Sequence, residues 1–240
     1  MTTTLANGRL GNQIIRNLAV SLIAEKHNMY VNYVNHGTIE KLGIQLYSGE
    51  LKFEKTEELN DENYVEVYNA DVVDWNLNPN KNYFQTKEII QILYNYLHSE
   101  AVKSRIISHN VFASRYNSNN DVFIHVRLTD VARMNPGIDY YLKAIRRIDS
   151  FCNLYVSTDD WRHNIIKTIK ENYPNMQLVV CDEITTFQFA STCKHIILSH
   201  GSFSAIIGYL SYFSNIYYPE YDENKMWYGD MFSIDGWTRI

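Results

Sequence analysis

The chain has 240 residues, 45% of them hydrophobic and 14% aromatic, which is enough to bury the core of one large α/β domain or two small ones. Its formal net charge is −5, with 22 Lys and Arg against 27 Asp and Glu and no basic block, which argues against nucleic acid as a partner. The sequence has no signal-peptide pattern and no apolar stretch near the roughly 20 residues that span a bilayer, so we expect a cytoplasmic protein without a membrane span.

The first predicted elements are a helix and a strand. From Asn12 to about Lys26 apolar residues recur at spacings of three and four, which indicates one buried face of a helix, and MYVNYVN at 29–35 then reads as a strand. Residues 37–80 have no clear period, whereas 82–98 are again helical in pattern. The polar run 114–121 has no apolar anchor, so we place a domain boundary there, between halves 1–115 and 116–240.

Strands and helices alternate regularly after residue 121. Strands are predicted at 122–126, 153–157, 177–182, 195–199 and 215–219, and helices at 139–148, 161–173, 185–194 and 203–213. This alternation is typical of βαβ units, in which a helix connects two parallel strands. The sequence therefore predicts an α/β fold whose C-terminal half is a doubly wound, mostly parallel sheet.

The predicted strands end in polar residues, namely HVRLTD, STDD, CDE and SHGSFS. Open α/β sheets bind ligands at the carboxyl ends of their strands. Arg127 offers a planar fork of charged donors that suits phosphate, and Gly201-Ser202 opens a helix whose backbone N–H groups and dipole suit the same anion. Together these features indicate a site for a nucleotide diphosphate.

Structural roles are the alternative for each of these residues. Arg127 would then pair with Asp130, His125 would be a hydrogen-bonded core residue, and Ser202 would cap its helix. Asp159 and Asp160 are typical of helix caps or surface positions. The Gly-x-x-Gly of NGRLGNQ indicates only a tight turn before a helix, because it lacks the Walker lysine and the full dinucleotide fingerprint.

Metal and serine hydrolysis have no support in the sequence. The histidines show no HExxH spacing, and no Gly-x-Ser-x-Gly elbow is present. The cysteines Cys152, Cys181 and Cys193 lack the spacing of a zinc site or a disulfide framework, so we expect reduced, buried thiols. No bound metal is therefore predicted.

The order of the motifs resembles glycosyltransferase family 11, whose characterised members include α-1,2-fucosyltransferases. GRLGNQIIRNLAVSLIA is similar to the opening segment of that family, and YFQ at 83–85 to its Tyr-Phe-Gln signature. HVRLTD keeps the His-x-Arg-x-x-Asp pattern shared with related fucosyltransferases. DYYLKAI, YVSTDDW, CKHIILSHGSFSAIIGYL and GWTRI follow in family order, so the resemblance spans the whole chain.

The resemblance implies a GT-B-like fold of two Rossmann-like halves, in which 1–115 is the acceptor-side half and 116–240 binds the nucleotide-sugar donor. It also implies the transfer of a sugar, L-fucose from GDP-fucose, onto a hydroxyl of a glycan acceptor. The transfer would invert the anomeric carbon, form an α-1,2 linkage in glycan biosynthesis and need no metal ion. The resemblance implies that Arg127 contacts the donor diphosphate and that His125 shapes the same site. An inverting transfer also needs a base for the acceptor proton, for which Asp130 is a candidate. Further implied donor-site residues are Gly201, Ser202, Phe203 and Ser204 at the helix start, Asp182 for guanine recognition, and Gly8, Gly11, Asn12 and Gln13 in a facing N-terminal loop.

Two departures from the family pattern leave the donor sugar and the acceptor open. Leu128-Thr129 replaces the usual Arg-Gly, and Ala205-Ile206 replaces Trp-Trp after the serine. A carbohydrate- or nucleotide-binding pseudoenzyme is therefore an alternative. A second alternative is an NAD-dependent oxidoreductase, which the βαβ pattern permits but the incomplete glycine fingerprint disfavours.

Overall fold

The computed structural model describes residues 1–80, 82–130, 132–220 and 229–240, which belong to two compact units. The first unit comprises Met1–His109 and a short segment that ends at Met231, and the second comprises the rest of the chain. Residues 110–115 therefore fall in the second unit, and not in the first half as the sequence suggested. The reason is their bonding: Asn110 donates to the carbonyl of Gln188 at 2.9 Å, and Arg115 lies 2.7 Å from Asp121.

The first unit contains short parallel strands and five helices among its described residues. Strand β1 pairs with β2 and β3 with β4, both in parallel, and the Thr2 hydroxyl accepts the N–H of Leu77 to join the two sheets. The strands are β1 Thr2–Thr3, β2 Val31–Asn32, β3 Thr56–Glu58 and β4 Asn76–Asn78; the helices are α1 Leu10–Lys26, α2 His36–Glu40, α3 Tyr64–Asn69, α4 Lys87–Leu97 and α5 Glu100–His109.

Helix α1 is the core of the first unit, and it is buried over more than the single face that its apolar spacing predicted. Arg16 is fully buried at a position that the pattern assigned to the polar side. Its Nε donates to the carbonyl of Asn82 at 2.9 Å, and its Nη1 donates to the carbonyls of Leu5 and Asn7 at 3.0 Å. A buried guanidinium is tolerated here because backbone carbonyls solvate it.

The second unit is built on a six-stranded sheet in which every pair is parallel. The strand order is β10-β9-β8-β5-β6-β7. Along the chain, β5, β6 and β7 extend the sheet towards one edge, and β8, β9 and β10 then extend it from β5 towards the other edge. The α/β fold with a parallel sheet is confirmed. The strands are β5 Val122–Val126, β6 Leu154–Thr158, β7 Gln177–Leu178, β8 His195–Ile197, β9 Asn215–Tyr218 and β10 Thr238–Arg239; the helices are α6 Ile138–Arg146, α7 Asn164–Asn172, α8 Glu183–Ala190 and α9 Ser202–Tyr209.

Both faces of this sheet are covered, as alternate residues of β5 show. Val122, Ile124 and Val126 belong to a core cluster that includes residues of α6 and α7. Phe123 and His125 point to the opposite face, where they contact Phe189 of α8 and Phe203 of α9. Because side chains alternate between the faces of a strand, this pattern confirms the doubly wound arrangement.

Two of the three cysteines lie outside this core. Cys193 is buried, but Cys152 and Cys181 are exposed, so the prediction of buried thiols is wrong for both. The reason is that Cys152 lies in the turn before β6, and Cys181 follows β7, whose regular pairing ends at Leu178. Among the residues that the structure covers, no helix combines the length and hydropathy needed to cross a bilayer.

Candidate functional site

The carboxyl ends of β5 and β8 lie side by side at the point where the strand order reverses. Ile124 is in register with Ile197, so the residues after each strand emerge at one edge of the sheet. Arg127 N–H is directed to the Ser199 hydroxyl at 3.4 Å, and Tyr141 of α6 donates to the same hydroxyl at 3.1 Å. This is the crevice in which open α/β sheets bind ligands.

The Arg127 side chain is held between two carboxylates. Its Nη2 lies 2.5 Å from Asp130 Oδ1, and its Nη1 lies 2.8 Å from Asp159 Oδ2. The Arg127 side chain is 15% exposed, whereas the Asp130 side chain is 50% exposed. The predicted structural pair with Asp130 is thus present, yet a guanidinium has more N–H groups than these two contacts use.

Asp159 is a site residue that sequence reasoning missed. The sequence favours a cap or a surface position for it, but its carboxylate binds the loop after β5 instead. Oδ1 accepts the N–H of Leu128 at 2.7 Å, and Oδ2 accepts the Thr129 hydroxyl at 2.6 Å beside Arg127. Burial alone would raise the pKa of Asp159, but these hydrogen bonds and the Arg127 charge outweigh it and lower the pKa. The carboxylate is therefore ionised and fixes the shape of the HVRLTD loop.

His125 is buried behind Arg127 and contacts two residues of α9. Its Nδ1 lies 2.6 Å from the Ser204 hydroxyl, and its ring lies 5.0 Å from the Phe203 ring. Burial lowers the pKa of His125 to about 4, with the nearby Arg127 charge acting in the same direction. At neutral pH the ring is therefore uncharged.

Helix α9 begins in a way that leaves its first turn open. Gly201 is the N-cap, with φ +97°, a left-handed conformation that favours glycine, and no side chain caps the helix. Ser202 is therefore not the N-cap, and no described residue hydrogen-bonds to its hydroxyl. Phe203 stacks on Phe187 at 4.2 Å, which fixes the first turn against α8. The N–H groups of this turn have no acceptor within the helix.

Asp182 has a structural role at the start of α8. Its side chain caps the helix, since Oδ1 accepts the N–H of Thr185 at 2.8 Å and Oδ2 accepts the Thr185 hydroxyl at 2.9 Å. Guanine recognition by Asp182 stays a prediction. Within the described part of the chain, no three His, Cys, Asp or Glu side chains are grouped so that they could hold a metal ion.

The predicted N-terminal loop residues lie together at the start of α1, in the first unit. Gly8 has φ +77°, and Gln13 reaches back to donate to its carbonyl at 2.8 Å. Asn35 donates to Gln13 Oε1, and Asn12 accepts a hydrogen bond from Gln85 at 2.9 Å. Gly11 is buried in the first turn of the helix. Two neutral amide pairs, Asn12 with Gln85 and Gln13 with Asn35, therefore lie at the start of α1, and we call them the amide cluster.

Gln85 was missed as a member of this cluster, and it follows a strained residue. Phe84 is fully buried with φ +56°, which an aromatic residue rarely adopts. Its ring packs 5.5 Å from Tyr64, and the carbonyl of Gln85 accepts the N–H of Asp230 at 3.0 Å. Left-handed non-glycine residues cost of order 1–3 kcal/mol and are often found at functional sites. The amide cluster is therefore held by a strained segment.

Comparison with known proteins gives little further guidance. No protein-family model and no curated protein sequence matches the chain. The solved structure of the fucosyltransferase NodZ from Bradyrhizobium is similar to 89% of this chain and 90% of its own, with a TM-score of 0.43 and 11% identity. A similarity of that size decides neither the fold nor the activity of this chain.

Proposed function

We propose that the protein is a glycosyltransferase whose second unit binds the diphosphate of a GDP-sugar, with GDP-fucose as the donor. The observation that carries this proposal is the placement of Arg127 and the open first turn of α9 at the ends of two adjacent strands where the strand order reverses. A permanent planar cation and the backbone N–H groups at the start of a helix are both groups that proteins use to bind phosphates. The sequence resemblance to family 11 supports the choice of a GDP-sugar.

The carboxylates around Arg127 suit a ligand-dependent rearrangement. Asp130 is half exposed and three residues away, and exposed pairs of this kind contribute only about 0–1 kcal/mol. A diphosphate oxygen therefore displaces Asp130 from Nη2 at small cost, while Asp159 keeps the loop in place. The Asp130 carboxylate, which is half exposed, is then the candidate base.

The proposed reaction is an inverting transfer without a metal ion onto a glycan hydroxyl, which gives an α-1,2 linkage. The acceptor oxygen forms a bond to the anomeric carbon, the bond from that carbon to the β-phosphate oxygen breaks, and GDP leaves with the electron pair. The acceptor proton passes to Asp130. Arg127 and the first turn of α9 stabilise the negative charge that develops on the departing diphosphate.

A nucleotide-binding pseudoenzyme is the second candidate, and one observation favours it. The carboxylates of Asp130 and Asp159 together exceed the single positive charge of Arg127, so the guanidinium is neutralised without a ligand. An NAD-dependent enzyme has less support, because the loop after β5 carries Arg127-Leu128-Thr129-Asp130 where a dinucleotide fold has its glycine-rich turn.

Thermal-shift measurements with GDP, UDP, CDP and NAD, each with and without EDTA, test the binding part of this proposal. We expect GDP to raise the melting temperature most, and by the same amount with EDTA present. Stabilisation by NAD alone, or loss of the GDP effect in EDTA, would contradict it. Release of GDP from GDP-fucose in the presence of a glycan mixture then separates an enzyme from a pseudoenzyme.

A further inference from the structure

Ser204 is a fully buried serine in the first turn of α9 whose hydroxyl has two neighbours in hydrogen-bond range. Its Oγ accepts the N–H of Ser199 at 2.9 Å and lies 2.6 Å from Nδ1 of His125. No other described residue bonds to this hydroxyl. Because a serine hydroxyl has a single proton to donate, His125 Nδ1 is the acceptor within its reach.

Two arrangements of protons fit the 2.6 Å contact, and they differ in cost. If Nδ1 carried the ring proton, the Ser204 oxygen would accept from both Ser199 and His125, and its own proton would have no acceptor. An unsatisfied buried donor costs about 1–3 kcal/mol. If Nδ1 is bare, Ser204 donates to it, and the Ser199 N–H, the Ser204 hydroxyl and Nδ1 are all satisfied. The proton of the neutral ring then lies on Nε2, which lacks a described partner in either arrangement.

The surroundings of His125 keep the ring neutral. The residue is 5% exposed, and burial together with the Arg127 charge holds its pKa near 4. The Phe203 ring, 5.0 Å away, adds a further apolar neighbour. No described residue accepts a hydrogen bond from Nε2.

We propose that Ser204 is a positioning residue that fixes His125 as the neutral Nε2–H tautomer, so that His125 presents a hydrogen-bond donor at the end of β5. This inference deepens the proposed function and rests on it for the identity of the ligand, an oxygen of the donor diphosphate. It also excludes His125 as the general base, because Nε2 is already protonated and Nδ1 is taken by Ser204. The base must then be Asp130 or a group outside this pair.

Nuclear magnetic resonance of protein with ¹⁵N-labelled histidine rings tests the tautomer directly, without any ligand. His125→Gln identifies the signals by their loss. We expect an unprotonated Nδ1 and a protonated Nε2 at pH 7 in the unaltered protein, and in Ser204→Thr, which keeps the hydroxyl. In Ser204→Ala we expect a mixture of tautomers, whereas Ser202→Ala, two residues away on the same helix, should leave the tautomer unchanged.

A protonated Nδ1 in the unaltered protein, or an identical spectrum in Ser204→Ala, would overturn the proposal. Calorimetric titration with GDP is the separate test of the proposed function. If that function holds, Ser204→Ala weakens GDP binding by about three- to tenfold, the range for one hydrogen bond. If GDP does not bind the unaltered protein, the proposed function fails while the tautomer assignment stands on the spectra.

Discussion

The two units hold their polar groups by different means. In the second unit a charged group, Arg127, is fixed by Asp130 and Asp159 at the edge of a six-stranded sheet. In the first unit the corresponding groups are neutral amides, with Asn12 and Gln85 joined beside a strained backbone. A charged fork suits an anion, whereas amides suit ligands rich in hydroxyl groups. The contrast teaches that the charged and the neutral polar groups can be tested separately, one unit at a time.

The largest effect is expected from Asp159→Asn, because it removes the charge that fixes the loop around Arg127. We expect kcat/KM for GDP-fucose to fall about a hundredfold, or about 2.7 kcal/mol. The unfolding free energy should fall by about 1–3 kcal/mol, since Arg127 loses a partially buried partner. Steady-state kinetics and urea unfolding measure the two quantities.

Asp160→Asn is the matched control for this experiment. Asp160 is the next residue, and its carboxylate accepts the N–H of Arg162 at 3.0 Å and makes no described contact with Arg127. It should keep its activity within about threefold, which is below 1 kcal/mol. Equal losses of kcat/KM in the two variants would show that the total charge of this loop, and not the contact of Asp159 with Arg127, determines the activity.

Acid should destabilise the second unit more than the first. Burial lowers the pKa of both His125 and His200 from 6.5 to about 4. Between pH 6.5 and pH 4 the unfolded chain therefore binds more protons than the folded chain. Each histidine thus contributes stability that is complete above pH 6.5 and is lost as the pH falls towards 4. The loss is on the order of 3 kcal/mol for each residue.

In the first unit the pKa shifts have opposite effects on stability in acid. Burial raises the pKa of Asp61, which favours the folded state as the pH falls, while His27 has a lowered pKa. Hydrogen exchange between pH 7 and pH 4.5 should therefore show protection lost first in β5 and β8. Earlier loss in α1 would reverse the comparison.

A smaller effect on stability is expected from alanine substitutions at two glycines, which distinguish the cost of close packing from the cost of backbone conformation. Gly229 in the first unit and Gly236 in the second both have φ +86°. A Cβ at Gly229 would overlap the carbonyl oxygen of Gln85, whereas at Gly236 it would meet nothing within 4 Å. We expect Gly229→Ala to cost about 1–3 kcal/mol more than Gly236→Ala. Equal melting temperatures would show that the Gln85 segment is not tightly packed.

The second unit was predictable because short apolar runs alternate regularly with helical patterns. Val122–Ile124 of β5 and Leu154–Val156 of β6 are such runs, and HVRLTD is distinguished by its polar residues at the end of a strand. The first unit was not, because strands of two or three residues such as β1 and β3 have no detectable period. Strand β7 is shorter than predicted, since both of its residues are exposed at the sheet edge.

The missed site residues depend on contacts that sequence spacing does not contain. Asp159 is 31 residues from Leu128, and only the pairing of β5 with β6 brings them together. The left-handed conformation of Phe84 has no sequence signal, because phenylalanine is not a residue that favours it. A regular sheet pattern thus predicts where a site lies, but not which neighbouring strand supplies its support.

Arg127→Lys is the variant that tests the central claim, which is that the Arg127 guanidinium binds a diphosphate through paired hydrogen bonds. Lysine keeps the positive charge beside Asp130 and Asp159 but lacks the paired N–H groups. We predict at least about a tenfold loss of kcat/KM for GDP-fucose, or about 1.4 kcal/mol, while the unfolding free energy changes by less than about 1 kcal/mol. Steady-state kinetics and urea unfolding, measured on one preparation of Arg127→Lys, distinguish a loss of diphosphate binding from a loss of stability. Near-normal transfer by Arg127→Lys would contradict the claim and leave Arg127 as a structural partner of the two carboxylates.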